Sequence, residues 1–224
     1  NRWVLQRTAK CLSIKTVGLT MTEIDFAKLP FQEAYKILIG SVVPRPIAWV
    51  STANAKGITN LAPFSFFNAV CSNPPTLLFC PVNHPDGREK DTLRNARETK
   101  NFVVNIASEA LVEKMNQTSA NYPPETSEFE KAGLTPAPSK LIKAPRVLEA
   151  PIQLECKLLQ IVDIGSGGAG SGHIVIGQVV YAHFHDHVFL DGKISIKALK
   201  PVARLAGSSY CRINDIFELP RPVL

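Results

Sequence analysis

Seventeen prolines and thirteen glycines are spread along the 224 residues rather than gathered in linkers. Each proline fixes its own φ and removes a backbone donor, so the chain is cut into pieces too short for long helices and suited to many short strands. No repeat or low-complexity block interrupts this pattern. Apolar runs such as TLLFC (76–80) end in Pro, Asn or charge well before the ~20 residues that span a bilayer, so no transmembrane helix is expected. Apolar residues are 45% and charged residues 20%, an ordinary globular composition able to build a sizeable core.

Residues 46–52 (PIAWVST) and 58–67 (ITNLAPFSFF) flank Asn54-Ala55-Lys56-Gly57, whose glycine supplies the positive φ of a hairpin turn. After Pro74-Pro75, TLLFCPV reads as a buried strand. The charged stretch 91–100 reads as a short helix capped by Asp91, followed by the strand FVVNIA (102–107). Ser108 opens a helix to about Thr118, and Ser127 with Glu130 has the capping-box spacing for another. From residue 151 the long β runs 152–164 and 173–186 return. The expected fold class is all-β with helical insertions, one domain over 21–224 preceded by a basic extension, 1–20.

The formal charge of +6 is concentrated in that extension. Arg2, Arg7, Lys10 and Lys15 stand there without an acid, leaving +2 for residues 21–224, and no basic face for nucleic acid is readable. The extension lacks a secretory h-region. Five cysteines (11, 71, 80, 156, 211), odd in number and without a CxxC pair, read as reduced thiols, so a cytoplasmic location is expected.

Two motifs are set aside on context. Residues 165–170 spell GxGxxG, but the β-rich HIVIGQVV stands where a dinucleotide site needs a helix N-terminus, so a strand connector is expected. HFHDH (183–187) would place three histidines on one strand face, yet no nearby Cys or Glu completes a set, and no metal site is assigned.

Arg45 lies between Pro44 and Pro46, which hold its base stiff, as suits either a rim salt bridge or a ligand contact. Ser51, Thr52, Thr59, Asn60 and Ser65 come from the expected hairpin, where they are either ordinary turn polarity or a converging set for a phosphate monoester or polar heterocycle. Lys90 and Thr92 stand where a helix N-terminus favours an anion.

Together IGSVVPRPIAWVST (39–52), GITNLAPFSFFNAV (57–70), NPPTLLF (73–79), EKDTLRN (89–95) and PVARLAGSSY (201–210) resemble the flavin reductase-like family of FMN-binding split barrels, whose members include flavoredoxin. The resemblance spans about residues 30 to 222. It implies a six-stranded Greek-key barrel, a homodimer and FMN at the barrel edge near the partner subunit. In that arrangement Arg45, Pro46 and Ile47 would line the flavin, with Ser51 and Thr52 near the ribityl phosphate. Asn60, Leu61, Ala62, Ser65 and Phe66 would edge the ring and ribityl chain. Lys90 and Thr92 would close the phosphate site, with Asp91 capping the helix. His173, in a strand of the form H-x-x-x-G-x-V, would face the flavin pocket or serve the core, and Arg204 and Tyr210 would line the pocket or pack the dimer.

The function implied by the resemblance is that of an NAD(P)H-dependent flavin oxidoreductase passing electrons to a flavin or to a partner protein. No protein acid or base is required, because the redox chemistry is the cofactor's. The alternative is an FMN-holding electron carrier resembling flavoredoxin.

Overall fold

The computed structural model describes residues 15–16 and 19–223, so the expectation for the extension 1–20 falls almost wholly outside them. The described residues fall into two compact units, divided between Val42 and Val43. The first holds helix α1 (Phe31–Ser41), which the sequence reading does not anticipate although its signals are present. Pro30 stands just before it and Glu33 lies in its first turn, both favoured at a helix start.

The second unit is built on strands β1 (Ala48–Ala53), β2 (Thr59–Phe64), β3 (Phe67–Ser72), β4 (Pro75–Phe79), β5 (Asn101–Ile106), β6 (Ile152–Ile164) and β7 (Gly172–Phe184). They form one antiparallel sheet in the order β2-β1-β5-β6-β7-β4-β3. Seven strands thus stand in this sheet, where the resemblance implies a six-stranded barrel. Helix α2 (Asp91–Thr99) precedes β5; α3 (Val112–Gln117), α4 (Glu128–Lys131) and α5 (Ile196–Leu199) are short insertions. A separate ladder joins β8 (Val202–Arg204) to β9 (Tyr210–Arg212).

Strand β1 explains why its sequence lacks a polar face. Ile47 and Trp49 enter a core with Leu61, Met115, Phe129 and Val147, while Ala48 and Val50 enter another with Phe79, Phe102, Val104 and the α2 residues Leu93 and Ala96. Successive side chains point to opposite faces, and both faces are covered. The hairpin between β1 and β2 forms as expected, with Gly57 at φ +82° and Asn54 Oδ1 accepting from the Lys56 and Ile58 amides at 3.0 Å each. The second core tolerates only glycine at 177, since a Cβ there would come within 2.4 Å of the Phe102 ring.

Three local expectations are corrected. The N-cap of α2 is Lys90, and Asp91 is the first helical residue, ion-paired with Arg94 instead of capping. Ser127 does precede α4, but its hydroxyl pairs with the Thr59 hydroxyl at 2.7 Å, so no capping box closes. Strand β7 ends at Phe184, so of the three histidines of HFHDH only His183 lies on it; His183 pairs with buried Glu155 at 2.6 Å, while His185 and His187 fall in the following turn. The glycine-rich segment is indeed a connector between β6 and β7, with Gly165, Gly167 and Gly170 at positive φ and a strand after it.

Candidate functional site

Beside the hairpin edge and the start of α2 lies a small cavity of about 90 Å³. Asn60 and Ala62 of β2, Lys90 at the N-cap of α2, Thr92 of α2, His84 of the preceding loop and Asn121 all line it. Asn60 donates to the buried Thr92 hydroxyl at 2.8 Å, which locks strand to helix at the cavity floor. The Lys90 ammonium lies 3.3 Å from His84 Nδ1 and donates to Asn121 Oδ1 at 3.3 Å. Burial holds the Lys90 pKa below its ordinary value, and burial together with the charges of Lys90 and Arg88 lowers that of His84. Glu128 closes one side: its carboxylate accepts the Leu61 N–H at 2.9 Å, and burial raises its pKa. No side chain caps the start of α2, and its first residues, Asp91 and Thr92, line the same cavity.

From Asn60, β2 and the residues after it run to a second group of side chains. Ser65 accepts from Arg45 Nε at 3.2 Å, Arg45 also donates to the Leu205 carbonyl at 3.0 Å, and its guanidinium lies 5.9 Å from the centre of the Phe66 ring. Backbone bonds between Arg45 and Arg204 (3.0 and 2.9 Å) fix the β8–β9 ladder beside it. Arg204 packs over the Tyr210 ring and donates to its hydroxyl. Arg45, Ser65, Phe66, Arg204 and Tyr210 therefore belong to this linked set, and Pro46 is exposed next to it. The five residue steps from Asn60 to Ser65 span about 17 Å if extended.

Other residues expected at the site are engaged elsewhere. Ile47 and Leu61 have core side chains. Ser51 donates to the Pro145 carbonyl at 2.5 Å and accepts from Asn105, and Thr52 accepts from Asn95 at 3.1 Å; both are fully buried. Alternation along β1 sends Ser51 to the Trp49 face and Thr52 to the α2 face, so these hydroxyls brace the scaffold. His173 is 4% exposed, and its ring nitrogens face Asp163 at 2.7 Å and Asn83 at 2.9 Å. Arg97 also binds Asp163, and Asn83 donates onward to the Gly167 and Gly168 carbonyls. In this second polar cluster both ring nitrogens of His173 have partners, and His173 does not line the cavity.

The sequence reading missed His84, Asn121 and Glu128. For His84 a local signal existed: the Pro85-Asp86-Gly87 turn, closed by the Gly87 N–H to the His84 carbonyl at 2.9 Å, folds the loop back so that Lys90 approaches His84. Asn121 and Glu128 arrive from beyond α3 with no local mark.

The residues at the cavity fit a phosphate monoester: an ammonium, hydroxyl and amide groups and a helix N-terminus converge where an anion gains charge-assisted hydrogen bonds. Among the described residues no group of His, Cys, Asp and Glu is arranged to hold a metal, and no helix is long and apolar enough to cross a membrane.

A family model described as Flavin reductase like domain matches residues 39–196. An uncharacterized protein of Halalkalibacterium halodurans is 44% identical over 194 residues, covering 86% of this chain and 93% of that one. The structure of nitrilotriacetate monooxygenase component B from Bacillus cereus superposes with a TM-score of 0.85 at 40% identity, covering 89% of this chain and 98% of that one. A structure from Shewanella frigidimarina described as a flavin reductase with a split barrel domain gives 0.75 at 26% identity, covering 88% and 96%. The chain belongs to the flavin reductase-like family, with its split-barrel fold, and membership implies an oxidoreductase that binds flavin.

Proposed function

We propose that this protein is an FMN-dependent oxidoreductase that accepts hydride from NAD(P)H and passes the electrons to a flavin or protein acceptor. The observation that carries this reading is the joining of two unlike ends by β2: a polar cavity with the Lys90 ammonium at its edge and a group of side chains at Arg45, Ser65 and Phe66 that includes an aromatic ring. FMN has that polarity, with its phosphate at one end and its flat ring at the other.

In this reading Lys90 and Thr92 hold the phosphate and Asn60 and Ala62 run along the ribityl chain. Ser65, Phe66 and Pro46 edge the ring, with Arg45, Arg204 and Tyr210 fixing that end. Bound FMN supplies the hydride-accepting chemistry. The protein's part is to orient the ring and leave one face open to a nicotinamide. The buried Arg45 keeps positive charge beside the ring group, where it favours an electron-rich ligand.

The cavity is far smaller than the ~300 Å³ or more of a closed cofactor site, which supports completion by a second copy in a homodimer. The residues after β9 support it too: Ile216, Phe217 and Leu219 are 61%, 80% and 85% exposed, an apolar stretch that needs a cover. Similarity to a protein named as a monooxygenase component favours a partner protein as acceptor. A cytoplasmic location accords with four free cysteines among the described residues.

The test is the absorption spectrum of concentrated protein before and after acid release of cofactor, followed by NADH and NADPH oxidation with added FMN. A flavin spectrum with turnover is expected. Protein that takes up FMN but turns over neither nicotinamide is a carrier, and protein that takes up no FMN refutes the proposal.

A further inference from the structure

Lys90 has a neighbour of unusual kind. His84 Nδ1 sits 3.3 Å from the Lys90 ammonium, and a nitrogen facing an ammonium can only accept, so the ring is neutral there with its proton on Nε2. We propose that His84 takes up a proton when a phosphate monoester enters this cavity, releasing the Lys90 ammonium to the anion and becoming a second cation of the same seat. The inference rests on the FMN reading and adds to it a coupling between ligand and proton.

Both side chains line one cavity whose volume suits an anionic group and not a ring system. The loop that carries His84 is pinned by backbone bonds from His84 N to the Arg88 carbonyl and from Gly87 N to the His84 carbonyl, both 2.9 Å, so His84 stays beside Lys90 whether or not their side chains touch. Lys90 keeps Asn121 Oδ1 as an acceptor when it leaves the imidazole.

The charged groups around His84 are Lys90 and Arg88, which oppose its protonation, and Asp86 and Asp91, which favour it. Glu128 and Tyr122 also line the cavity, from α4 and the segment before it. Burial adds to the opposition, and the ring is held below its ordinary pKa. A phosphate monoester brings a charge of about −1.5 to −2 at neutral pH and reverses that balance. By reciprocity, whatever factor the anion adds to proton affinity, the proton adds to anion affinity. The proton comes from solvent and stays on Nδ1, so no bond is broken in the protein. The ligand's own second ionisation, near pH 6, works in the opposite sense, because cations favour the dianion and expel its proton.

The experiment is calorimetric titration of the full chain with FMN at pH 7 in buffers of different ionisation enthalpy, the slope giving the protons taken up per FMN bound. Net uptake of a substantial fraction of a proton is expected for the unaltered protein. Uptake near zero is expected with riboflavin, which lacks the phosphate, and with His84→Gln, whose amide oxygen still accepts from Lys90 but cannot titrate. His84→Gln should also weaken FMN binding about fivefold or more at pH 6 and much less at pH 8.5. FMN binding without uptake, or uptake undiminished in His84→Gln, overturns the coupling and leaves the FMN reading intact. Failure of FMN to bind at all, by heat and by absorbance, overturns both.

Discussion

At the start of α2, Lys90 is half-buried and meets His84 and Asn121 at 3.3 Å each; in its last turn, Arg97 holds Asp163, which with Asn83 and Arg97 surrounds a histidine buried to 4% exposure. One helix thus carries a cation near a histidine at each end, and residue types alone do not separate the two clusters. Their partners do. Around His173 the contacts are short, and Asn83 passes the chain on to the backbone of the glycine-rich connector. Around Lys90 the contacts are long, join donors to neutral acceptors and border a cavity. A buried imidazole with a partner on each nitrogen holds the fold, and a cluster whose ammonium borders a cavity is able to bind.

The division is tested most strongly by His173→Leu, which removes the ring between Asp163 and Asn83 and leaves a buried amide without its partner. A loss of about 2–3 kcal/mol is expected, lowering Tm by roughly 4–12 °C in a domain of this size, while FMN affinity changes less than about threefold. Unchanged melting with collapsed flavin binding or turnover would restore His173 to the site. Lys90→Ala should do the reverse: an FMN dissociation constant raised about tenfold or more, the ~1.5–3 kcal/mol of a charge-assisted bond, with Tm held. An unaltered constant removes Lys90 from the site.

Ser65→Ala should weaken FMN by roughly two- to tenfold, the ~0.5–1.5 kcal/mol of a neutral hydroxyl bond, as fluorescence titration would show. The smallest effect is in acid. The hydrogen bonds from His173 and then Arg97 depress the Asp163 pKa. Its contribution is therefore complete above the ordinary carboxylate pKa and lost as pH falls through the depressed folded value. Because Asp163 is well exposed, Asp163→Asn should narrow the acid end of the stability curve only slightly. A marked loss at pH 7 would mean that the closed cluster depends on this charge far more than its exposure suggests.

Much of the architecture was legible locally. The Asn54–Gly57 turn, the apolar runs that became β4 to β7 and the helix over 91–99 each carry their own signal in turn chemistry, branched aliphatics or an acid-first, base-last charge order. So did the rejection of GxGxxG, since the β character of the HIVIGQVV run after it is a local property. The end of β7 before His185 was not legible, because a strand stops where its partner stops and β6 begins at Ile152, opposite Phe184.

The candidate site divides in the same way. Residue order alone set Lys90 and Thr92 at a helix start and Arg45 on a stiff base, because these depend on propensity and on neighbours in the chain. Tertiary structure alone decided that Ser51 and Thr52 face inward to Pro145 and Asn95, that His173 is enclosed, and that Asn121 and Glu128 reach the cavity from beyond α3. Whether a hydroxyl or an imidazole is spent inside the fold or left to meet a ligand depends on partners brought together by packing, and no sequence window around the residue contains them.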